Sequence, residues 1–400
     1  MNEHEIKQKG LLWILANARA LKQGIPKTIK GFSRRLRPPE SHDAQRRLAE
    51  GPDAMVEEAR PHEDKKDICL GIIKEFTHSD SHYIEACRAL DIPYKVLNIS
   101  GPDWMEVIQN SGCHAFLVRP SGELSAWKQM FDERLRVISH ELGKTILPSY
   151  DEIWFYESKR RMLYCLGANN IPHPRTWVYY DRHEALAFAD ATPLPIVFKA
   201  DVGARAMGVQ VFRERGKLVR WIKRYFKKVT VNCDCDTRNR QLGSVLFQEY
   251  LPNVTEWRMI RMGKSYMGYQ KIKQGDFANG TKTFNHACPP EALLEFVRHV
   301  TERGGFKSMA VDVFETNDGR YLVNELQTTF GLHVEDGLPM KEGKPGRFLF
   351  DDTTRTWCFE EGLFCQNELC NLRVLTLLEQ LDGSLLGHDS PAESDGLDEV

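Results

Sequence analysis

Three oxygen-bearing side chains lie within two apolar, strand-like runs of the segment 308–331, SMAVDVFETNDGRYLVNELQTTFG. Asp312 belongs to the first run, and Glu325 and Gln327 lie two residues apart in the second. Residues two apart share one face of a strand, and pairing of the two runs can bring Asp312 to that face. Acidic oxygens gathered on an apolar sheet repel each other, and a hard cation relieves the repulsion. The pattern therefore predicts a Mg²⁺ site, with Mn²⁺ as a second candidate, although a single acid on a strand usually faces solvent.

A lysine beside a glycine-bearing turn occurs in the segment 196–209, IVFKADVGARAMGV. Lys199 ends the apolar run, and Gly203, Arg205 and Gly208 follow it in the turn. Exposed backbone N–H groups in such a turn, together with a lysine on a rigid strand, are suited to hold polyphosphate oxygens. The same glycines would equally serve the turn of an ordinary β-hairpin.

Two further segments complete a candidate nucleotide site. The apolar run 245–251, VLFQEYL, continues into a loop that contains Glu256. Main-chain groups at the end of such a strand can pair with an adenine edge, and the Glu256 carboxylate can accept hydrogen bonds from ribose hydroxyls. Lys159 and Lys271 add positive charge that can stabilise a phosphate chain and its transition state. The alternatives are a core strand that ends in a polar loop and ordinary surface lysines.

The elements that must position these residues fall into two patterns. Strands and helices alternate at first, which is typical of a parallel sheet covered by helices; the expected order is strand 67–73, helix 81–90, strand 94–99, helix 103–110, strand 115–118, helix 124–142 and strand 146–147. Longer strand pairs follow from residue 150, at 176–180, 196–200, 208–212, 245–250, 256–261, 264–269, 309–315 and 321–326. We therefore expect an α/β domain followed by an α+β region.

The two ends of the chain differ from the rest in charge. The first 40 residues carry nine Lys or Arg, and we expect residues 1–66 to form a basic helical extension and linker. This extension could contact an acidic partner or a membrane surface. Residues 382–400 contain six acids and no Lys or Arg, and we expect a disordered tail there.

Composition excludes several classes of protein. The chain has 400 residues and a formal net charge of -2, which is typical of a globular protein and not of a nucleic-acid-binding module. No apolar run near the start approaches the ~20 residues of a membrane span. Ten cysteines are scattered along the chain without paired CxxC spacing, which favours reduced thiols in a cytoplasmic protein. Neither a P-loop nor a GxGxxG dinucleotide motif is present.

In their order along the chain, these segments resemble the ATP-grasp superfamily, in particular ligases related to glutathione synthetase, D-alanyl-D-alanine ligase and the ribosomal-protein glutamate ligases. The resemblance covers about 150–381, and the segment 67–149 is similar to the domain that precedes ATP-grasp in that group. It implies an ATP-grasp fold after a small α/β pre-ATP-grasp domain, with a lid subdomain at about 165–250.

The resemblance also implies roles for individual residues. Arg258 and Lys271 match basic residues that meet the γ-phosphate or an acyl phosphate, which makes them the implied catalytic residues. Asp312, Glu325 and Gln327 match an Asp, Glu, Asn metal set, with glutamine in place of asparagine. The implied ATP-binding residues, which include two phosphate lysines, a mobile loop, an adenine hinge and a ribose carboxylate, are Lys159, Lys199, Gly203, Arg205, Gly208, Gln248, Glu249, Tyr250, Leu251 and Glu256.

The implied activity is an ATP-dependent ligation of a carboxylate, from a small molecule or a peptide, to an amine. It would form an amide through an acyl phosphate and release ADP and phosphate. A homodimer is common among such relatives. Two alternatives stay open: a kinase of the same fold, and a non-catalytic ATP-binding regulator, which Ala206 in the loop and Gln327 in the metal set favour.

Candidate substrate residues come from the first domain, where ligands collect at the ends of parallel strands in open α/β sheets. Ser79 and His82 lie in the polar turn THSDSH, and Arg119 follows the third strand, where its guanidinium could bind a carboxylate. His333 follows the metal strand and is a further candidate. Ordinary polar loops explain these residues equally well.

Overall fold

The structure, a computed structural model, describes residues 58–59, 68–77, 79–122, 124–203, 208–227, 231–232, 240–241, 243–274, 277–278, 284–285, 287–330, 332 and 340–386. These residues belong to one compact unit, 52–400. Except for residues 58–59, the basic extension expected at 1–66 lies outside the described residues, as do residues 387–400 of the acidic tail.

Short apolar runs build the first sheet, which has the order β1-β3-β2-β4-β5. Its strands are β1 (Glu58–Ala59), β2 (Leu70–Ile73), β3 (Tyr94–Leu97), β4 (Ala115–Leu117) and β5 (Thr145–Leu147). Helices α1 (Ser81–Ala89), α2 (Trp104–Gln109) and α3 (Ser125–Arg136) connect them, and a π-helical turn (Val137–Glu141) follows α3. Strands β2 to β5 are parallel, so the expected α/β alternation is confirmed.

One part of the expected linker belongs to this sheet. Glu58 and Ala59 pair antiparallel with Lys95 and Tyr94 of β3. The sequence did not predict this strand. An edge strand of two residues buries almost no side-chain area, so it needs no apolar pattern.

The chain leaves the first sheet through two helices, α4 (Tyr150–Trp154) and α5 (Lys159–Ala168). Ser149 and Glu152 form a capping box that starts α4, since each side chain bonds the backbone N–H of the other. The second carboxylate oxygen of buried Glu152 accepts from the backbone N–H groups of Lys307 (2.8 Å) and Ser308 (2.7 Å). Glu152 thus joins this exit to a strand more than 150 residues away in sequence.

The second sheet is antiparallel, with the order β6-β11-β7-β8. Its strands are β6 (Thr176–Tyr179), β7 (Ile196–Lys199), β8 (Val209–Phe212) and β11 (Val245–Glu249). Helices α6 (Arg182–Ala191) and α7 (Arg215–Tyr225) pack on it, and β9 (Val231–Asn232) and β10 (Arg240–Gln241) form a separate ladder. This sheet occupies the stretch in which the lid subdomain was expected.

The third sheet is the largest, with the order β18-β17-β12-β13-β20-β19. Its strands are β12 (Thr255–Met262), β13 (Ser265–Lys271), β16 (Phe284–Asn285), β17 (Ser308–Glu315), β18 (Tyr321–Gln327), β19 (Met340–Lys341), β20 (Lys344–Asp351) and β21 (Thr356–Glu361). β16 pairs with β13, β21 pairs with β20, and β14 (Lys273–Gln274) pairs separately with β15 (Phe277–Ala278). Helix α8 (Glu291–Arg303) packs its apolar residues into the core of this sheet.

The last helix, α9 (Cys370–Leu386), returns to the first sheet. Its residues Val374 and Leu377 are buried in one cluster with Leu70 and Ile72 of β2. The helix runs to Leu386 and so continues five residues past Leu381, where the disordered tail was expected to follow.

Within the described part of the chain, no helix combines the length and the apolar character that a membrane crossing requires.

Candidate active site

One face of the third sheet gathers the charged residues that the sequence singled out. Asp312 on β17 lies opposite Glu325 on β18 and opposite Arg258 on β12. Glu256 on β12 lies opposite Lys271 on β13. Because directly opposed residues, and residues two apart on a strand, share a face, six polar side chains belong to one face: Glu256, Arg258, Lys271, Asp312, Glu325 and Gln327.

The opposite face of the same strands is apolar. Trp257, Met259, Val311, Val313 and Leu326 alternate with the charged residues and lie in the main hydrophobic cluster. Burial of this face fixes the register, since a slip by one residue would exchange the charged and apolar faces. The core of the sheet therefore positions the site.

The charged residues in the middle of this face form a hydrogen-bonded ladder. Lys271 Nζ donates to Glu256 Oε1 and to Asp312 Oδ2, both at 2.6 Å. Arg258 donates through Nε and Nη2 to the two Asp312 oxygens, both at 2.8 Å, and through Nη2 to Gln327 Oε1 at 3.1 Å. Two cations thus meet two carboxylates in an almost closed environment, where the Asp312 side chain is 2% exposed.

The pKa values follow from this compensation. Burial opposes ionisation of Asp312, but Arg258 and Lys271 outweigh it and hold the pKa of Asp312 well below its usual range. Burial likewise opposes the charge of Lys271, but the carboxylates of Asp312 and Glu256 raise its pKa. Asp312, Arg258 and Lys271 are therefore charged at neutral pH, each with a partner of opposite charge. Burial raises the pKa of Glu256, an effect that Lys271 opposes.

Lys199 reaches this region from the second sheet. Its Nζ donates to Asn324 Oδ1 at 2.8 Å. Asn324 is the extra residue of a β-bulge, because Asp312 pairs with Glu325 and the next residue, Val313, pairs with Val323. A bulge re-aims side chains locally, so two consecutive polar residues, Asn324 and Glu325, both meet a lysine. Burial lowers the pKa of Lys199 to about 8, against the opposing effect of Glu325.

Lys159, the first residue of α5, contacts Glu325 and also Gly203 of residues 202–209, where the sequence predicts the mobile loop that closes over phosphates; we call these residues the phosphate-loop segment. Its Nζ donates to the backbone oxygen of Gly203 at 2.7 Å and lies 3.6 Å from Glu325 Oε1. The start of α5 is held by Asp201, whose carboxylate accepts from Arg160 N at 2.8 Å and from Ser158 Oγ at 3.1 Å. Lys159 and Lys199 thus approach neighbouring residues of β18 from two different elements.

The loop between β7 and β8 contains two glycines with unusual backbone conformations. Gly203 (φ +140°) and Gly208 (φ +75°) have backbone conformations that side chains disfavour. Ala200 N donates to Gly208 O at 2.8 Å, which closes the base of the loop. Arg205 lies outside the described residues.

The expected adenine hinge, residues 248–251, spans the end of β11. Gln248 is buried and donates to Thr176 Oγ1 at 3.2 Å. The Glu249 carboxylate accepts from Arg175 N (2.7 Å) and Arg175 Nε (2.9 Å). Tyr250 and Leu251 follow the last residue of β11 that pairs with β7 and lead towards β12. The hinge therefore connects the second sheet to the third.

Comparison with solved structures identifies this architecture. D-cycloserine synthetase DcsG superposes with a TM-score of 0.50 at 16% sequence identity, over 78% of this chain and 99% of that chain. The ATP-grasp ligase PsnB, in a complex with a phosphomimetic variant of its minimal precursor, Mg and ADP, gives 0.49 at 14% identity over 78% and 99%. The RimK domain protein ATP-grasp of Sphaerobacter thermophilus gives 0.47 at 17% identity over 66% and 92%. This chain has the ATP-grasp fold. No protein-family model and no curated protein sequence matches it.

The residues present in this ATP-grasp fold are compatible with a magnesium ion. Within the described ranges no three His, Cys, Asp or Glu side chains cluster as a metal site, and the candidate set has two acids and one amide. Asp312, Glu325 and Gln327 offer the oxygen donors that Mg²⁺ prefers, on one sheet face. Asp312 and Gln327 would be shared with Arg258, whereas Glu325 has a looser contact, 3.6 Å to Lys159.

The structure brings two of the candidate substrate residues together. Arg119 Nη2 lies 2.6 Å from Glu368 Oε2, and His82 Nε2 lies 3.5 Å from Glu368 Oε1. Ser79 shares a hydrogen bond of 2.9 Å with Thr77. His333 lies outside the described residues. Arg119 is thus engaged by a carboxylate of the chain itself, and a substrate role for these residues stays a prediction.

Sequence reasoning missed two residues of this candidate site, Asn324 and Asp201. Asn324 precedes Glu325 in the strand, so the alternation rule assigned it to the opposite face, and only the bulge turns it towards Lys199. Asp201 lies two residues after Lys199, in a loop whose path the sequence does not specify. The only sequence signal for Asp201 was its position between Lys199, at the end of a strand, and Gly203.

Proposed function

We propose that this protein is an ATP-dependent carboxylate–amine ligase that forms an amide through an acyl phosphate and releases ADP and phosphate. The observation that carries the proposal is the meeting of Lys159 and Lys199, from two separate elements, at Asn324 and Glu325 of β18. Such an arrangement suits a polyphosphate, because the ammonium groups can exchange their present contacts for phosphate oxygens beside the acids.

The remaining residues have consistent roles around a bound nucleotide. Lys159 and Lys199 would hold phosphate oxygens, together with backbone N–H groups of the loop that starts at Gly203. The backbone at 248–251 would pair with adenine. Glu256 is already bonded to Lys271, so a ribose hydroxyl would share its second oxygen.

The acyl transfer itself requires position and charge more than a protein nucleophile. A substrate carboxylate would attack the γ-phosphorus of ATP, and the amine would then attack the acyl carbon and release phosphate. Arg258 and Lys271, fixed by the ladder, would stabilise the charge that develops on the transferred group without reorganising during the reaction.

Asp312, Glu325 and Gln327 would hold the magnesium or manganese ion. The ion would neutralise phosphate charge when it is bound. Glu325 has the loosest protein contact of the three and is the residue whose loss would affect metal binding with least effect on the ladder.

The testing experiment measures ADP and phosphate release from MgATP with pools of carboxylates and amines, and identifies the products by mass spectrometry. We expect amide products from the wild type and at least a hundredfold less from Glu325→Ala. Glu361→Ala, which removes an exposed carboxylate paired with Lys344, is the matched control and should retain wild-type rates.

Two outcomes would contradict the proposal. A phosphorylated hydroxyl in place of an amide would make the protein a kinase of the same fold. Wild-type turnover by Glu325→Ala would refute the metal assignment.

A further inference from the structure

A cavity of about 410 Å³ lies beside the phosphate-loop segment. It is formed by α3, by α4 and the turn that follows it, by the start of α5 and by the residues after β7. Its lining includes Lys128, Asp132, Tyr156, Glu157, Arg161 and Val202. This volume falls in the range of small-molecule sites, and none of the residues assigned above to nucleotide or metal is part of the lining.

Glu157 has a constrained position in this wall. Its backbone is left-handed, with φ +56°, which is uncommon for a residue with a side chain. A Cβ atom added to Gly122 would come within 2.2 Å of Glu157 Cγ, so the glycine is what lets the Glu157 side chain lie where it does. Unusual backbone held by its surroundings is a feature of functional sites.

Several other charges in the lining have close partners of opposite sign, and Lys128 and Arg161 share the single carboxylate of Asp132. Lys128 bonds Asp132 and, at 3.1 Å, the backbone oxygen of Ile153. Arg161 Nη1 bonds Asp132 Oδ2 at 2.8 Å. Arg160 Nη2 lies 2.8 Å from Asp201 Oδ2.

Glu157 differs from these pairs. Its hydrogen bond from Gly203 N is long, at 3.4 Å. Burial raises the pKa of Glu157, and Glu325 raises it further. The ammonium groups of Lys159 and Lys128 and the Gly203 N–H offset this effect only partly. A cationic ligand group at Glu157 would remove that cost of burial.

Glu157 also connects the cavity to the reacting groups. Gly203, which donates its N–H to Glu157, accepts through its backbone oxygen from Lys159 Nζ at 2.7 Å. The inner end of the cavity therefore meets the phosphate loop. At the outer end, Trp154 is 37% exposed, and the Arg161 guanidinium packs over its ring at 5.5 Å.

We propose that this cavity binds the amine substrate and that this substrate is of the α-amino-acid class. Its ammonium group would pair with Glu157, and its carboxylate would face the partly exposed guanidinium of Arg161. The inference rests on the ligase activity proposed above. It adds to that activity a recognition site that adjoins Gly203 and Lys159.

The test is a competition between two nucleophiles. Wild type and Glu157→Gln are incubated with MgATP, the carboxylate pool, hydroxylamine and an equimolar mixture of the twenty amino acids. Hydroxylamine is uncharged at neutral pH and traps an acyl phosphate as a hydroxamate without needing a counter-ion. We expect the ratio of amino-acid amide to hydroxamate to fall at least tenfold in Glu157→Gln, with the KM for the amino acid raised.

Three further variants test whether the effect is specific to the Glu157 carboxylate. Glu85→Gln changes an exposed carboxylate paired with Arg88 and should leave the ratio at the wild-type value. Glu157→Asp keeps the charge and should restore part of the ratio. Gly122→Ala keeps the carboxylate but displaces it, and should lower the ratio in the same direction even if Glu157→Gln fails to fold.

Other outcomes of the competition experiment would each refute one part of the proposal. A wild-type ratio in Glu157→Gln, or an equal loss of both products, would refute the amine site while leaving the ligase activity standing. Hydroxamate without any amino-acid amide in the wild type would refute the substrate class. Absence of both products from the wild type would refute the ligase proposal itself, and the inference with it.

Discussion

Lys199 and Lys271 belong to the same candidate site, but their surroundings shift their pKa values in opposite directions. Lys271 donates to two carboxylates at 2.6 Å, and its pKa is raised. Lys199 donates to the amide oxygen of Asn324, and burial lowers its pKa to about 8. One lysine has its counter-charges built into the sheet, and the other has a neutral partner.

The difference distinguishes a charge that stabilises the folded site from a charge that is available to bind a ligand. A lysine whose carboxylates are already in place gains little from binding a further anion in the ground state, although it can still stabilise charge that develops during the reaction, and its loss would affect the folded ladder most. A lysine whose burial is only partly compensated by neighbouring acids gains from any anion that arrives, since the anion restores the stability of the ammonium form. We therefore expect Lys271 to affect folding most and Lys199 to affect nucleotide affinity most.

The largest effect should come from Lys271→Met. The change leaves the buried Glu256 and Asp312 carboxylates without their shared cation, and breaking a buried pair from one side costs about 3–5 kcal/mol. Urea denaturation of the variant should show this loss in the free energy of unfolding. Lys264→Met, which removes an exposed lysine 3.8 Å from Glu379, should change that free energy by less than about 0.5 kcal/mol. Equal free energies of unfolding for Lys271→Met and Lys264→Met would contradict the expectation that Lys271 stabilises the fold.

Lys199→Met should have the next largest effect, on binding. A hydrogen bond between a charged group and its partner contributes about 1.5–3 kcal/mol, so the Kd for ADP should rise about 10- to 100-fold. Calorimetric titration with ADP and magnesium measures it. Folding stability should be unchanged or higher, because an uncompensated ammonium group is removed. Lys217→Met, an exposed lysine paired with Glu214, serves as the control for loss of positive charge.

The smallest predicted effect is a pH dependence. With its pKa at about 8, Lys199 is mostly charged at pH 7 and mostly neutral at pH 9. A lysine binds anions in its charged form, so the Kd for ADP should rise with pH by up to about tenfold over this interval. The rise should be absent from Lys199→Met. An identical rise in that variant would assign the titration to another group and remove the distinction between the two lysines.

The fold could be predicted from the sequence where burial leaves an alternating pattern. The expected strands 309–315 and 321–326 agree with β17 and β18 within one residue at each end. The parallel first sheet and the lysine strand β7 were also predicted. In each case apolar residues on one face, or on both faces, report the element directly.

Side-chain partners could not be predicted in the same way. That Asp312 meets both Arg258 and Lys271 depends on the register of three strands, and the sequence states the period of a strand but not the alignment between strands. The contact of Lys199 with Asn324 depends on a bulge that changes the facing of one residue. The position of Glu157 depends on a close approach to Gly122, 35 residues earlier in the chain.

The strands β20 and β21 show a further limit. Their hairpin extends the third sheet beyond β13, but the segment KPGRFLFDDTTRTWCFEE carries charged residues on both sides of a short apolar run. Edge strands bury one face incompletely, so their alternation is weak, and a proline at position 345 lowers the strand signal further.

The packing of α9 on β2 has a consequence for synthesis of the chain. Leu70 and Ile72 emerge from the ribosome about 300 residues before Val374 and Leu377, which cover them. At 5–20 residues per second, that interval lasts on the order of 15–60 s. The first sheet is thus translated early but completed last, and its uncovered apolar surface is where a chaperone would bind while the second and third sheets are still being made.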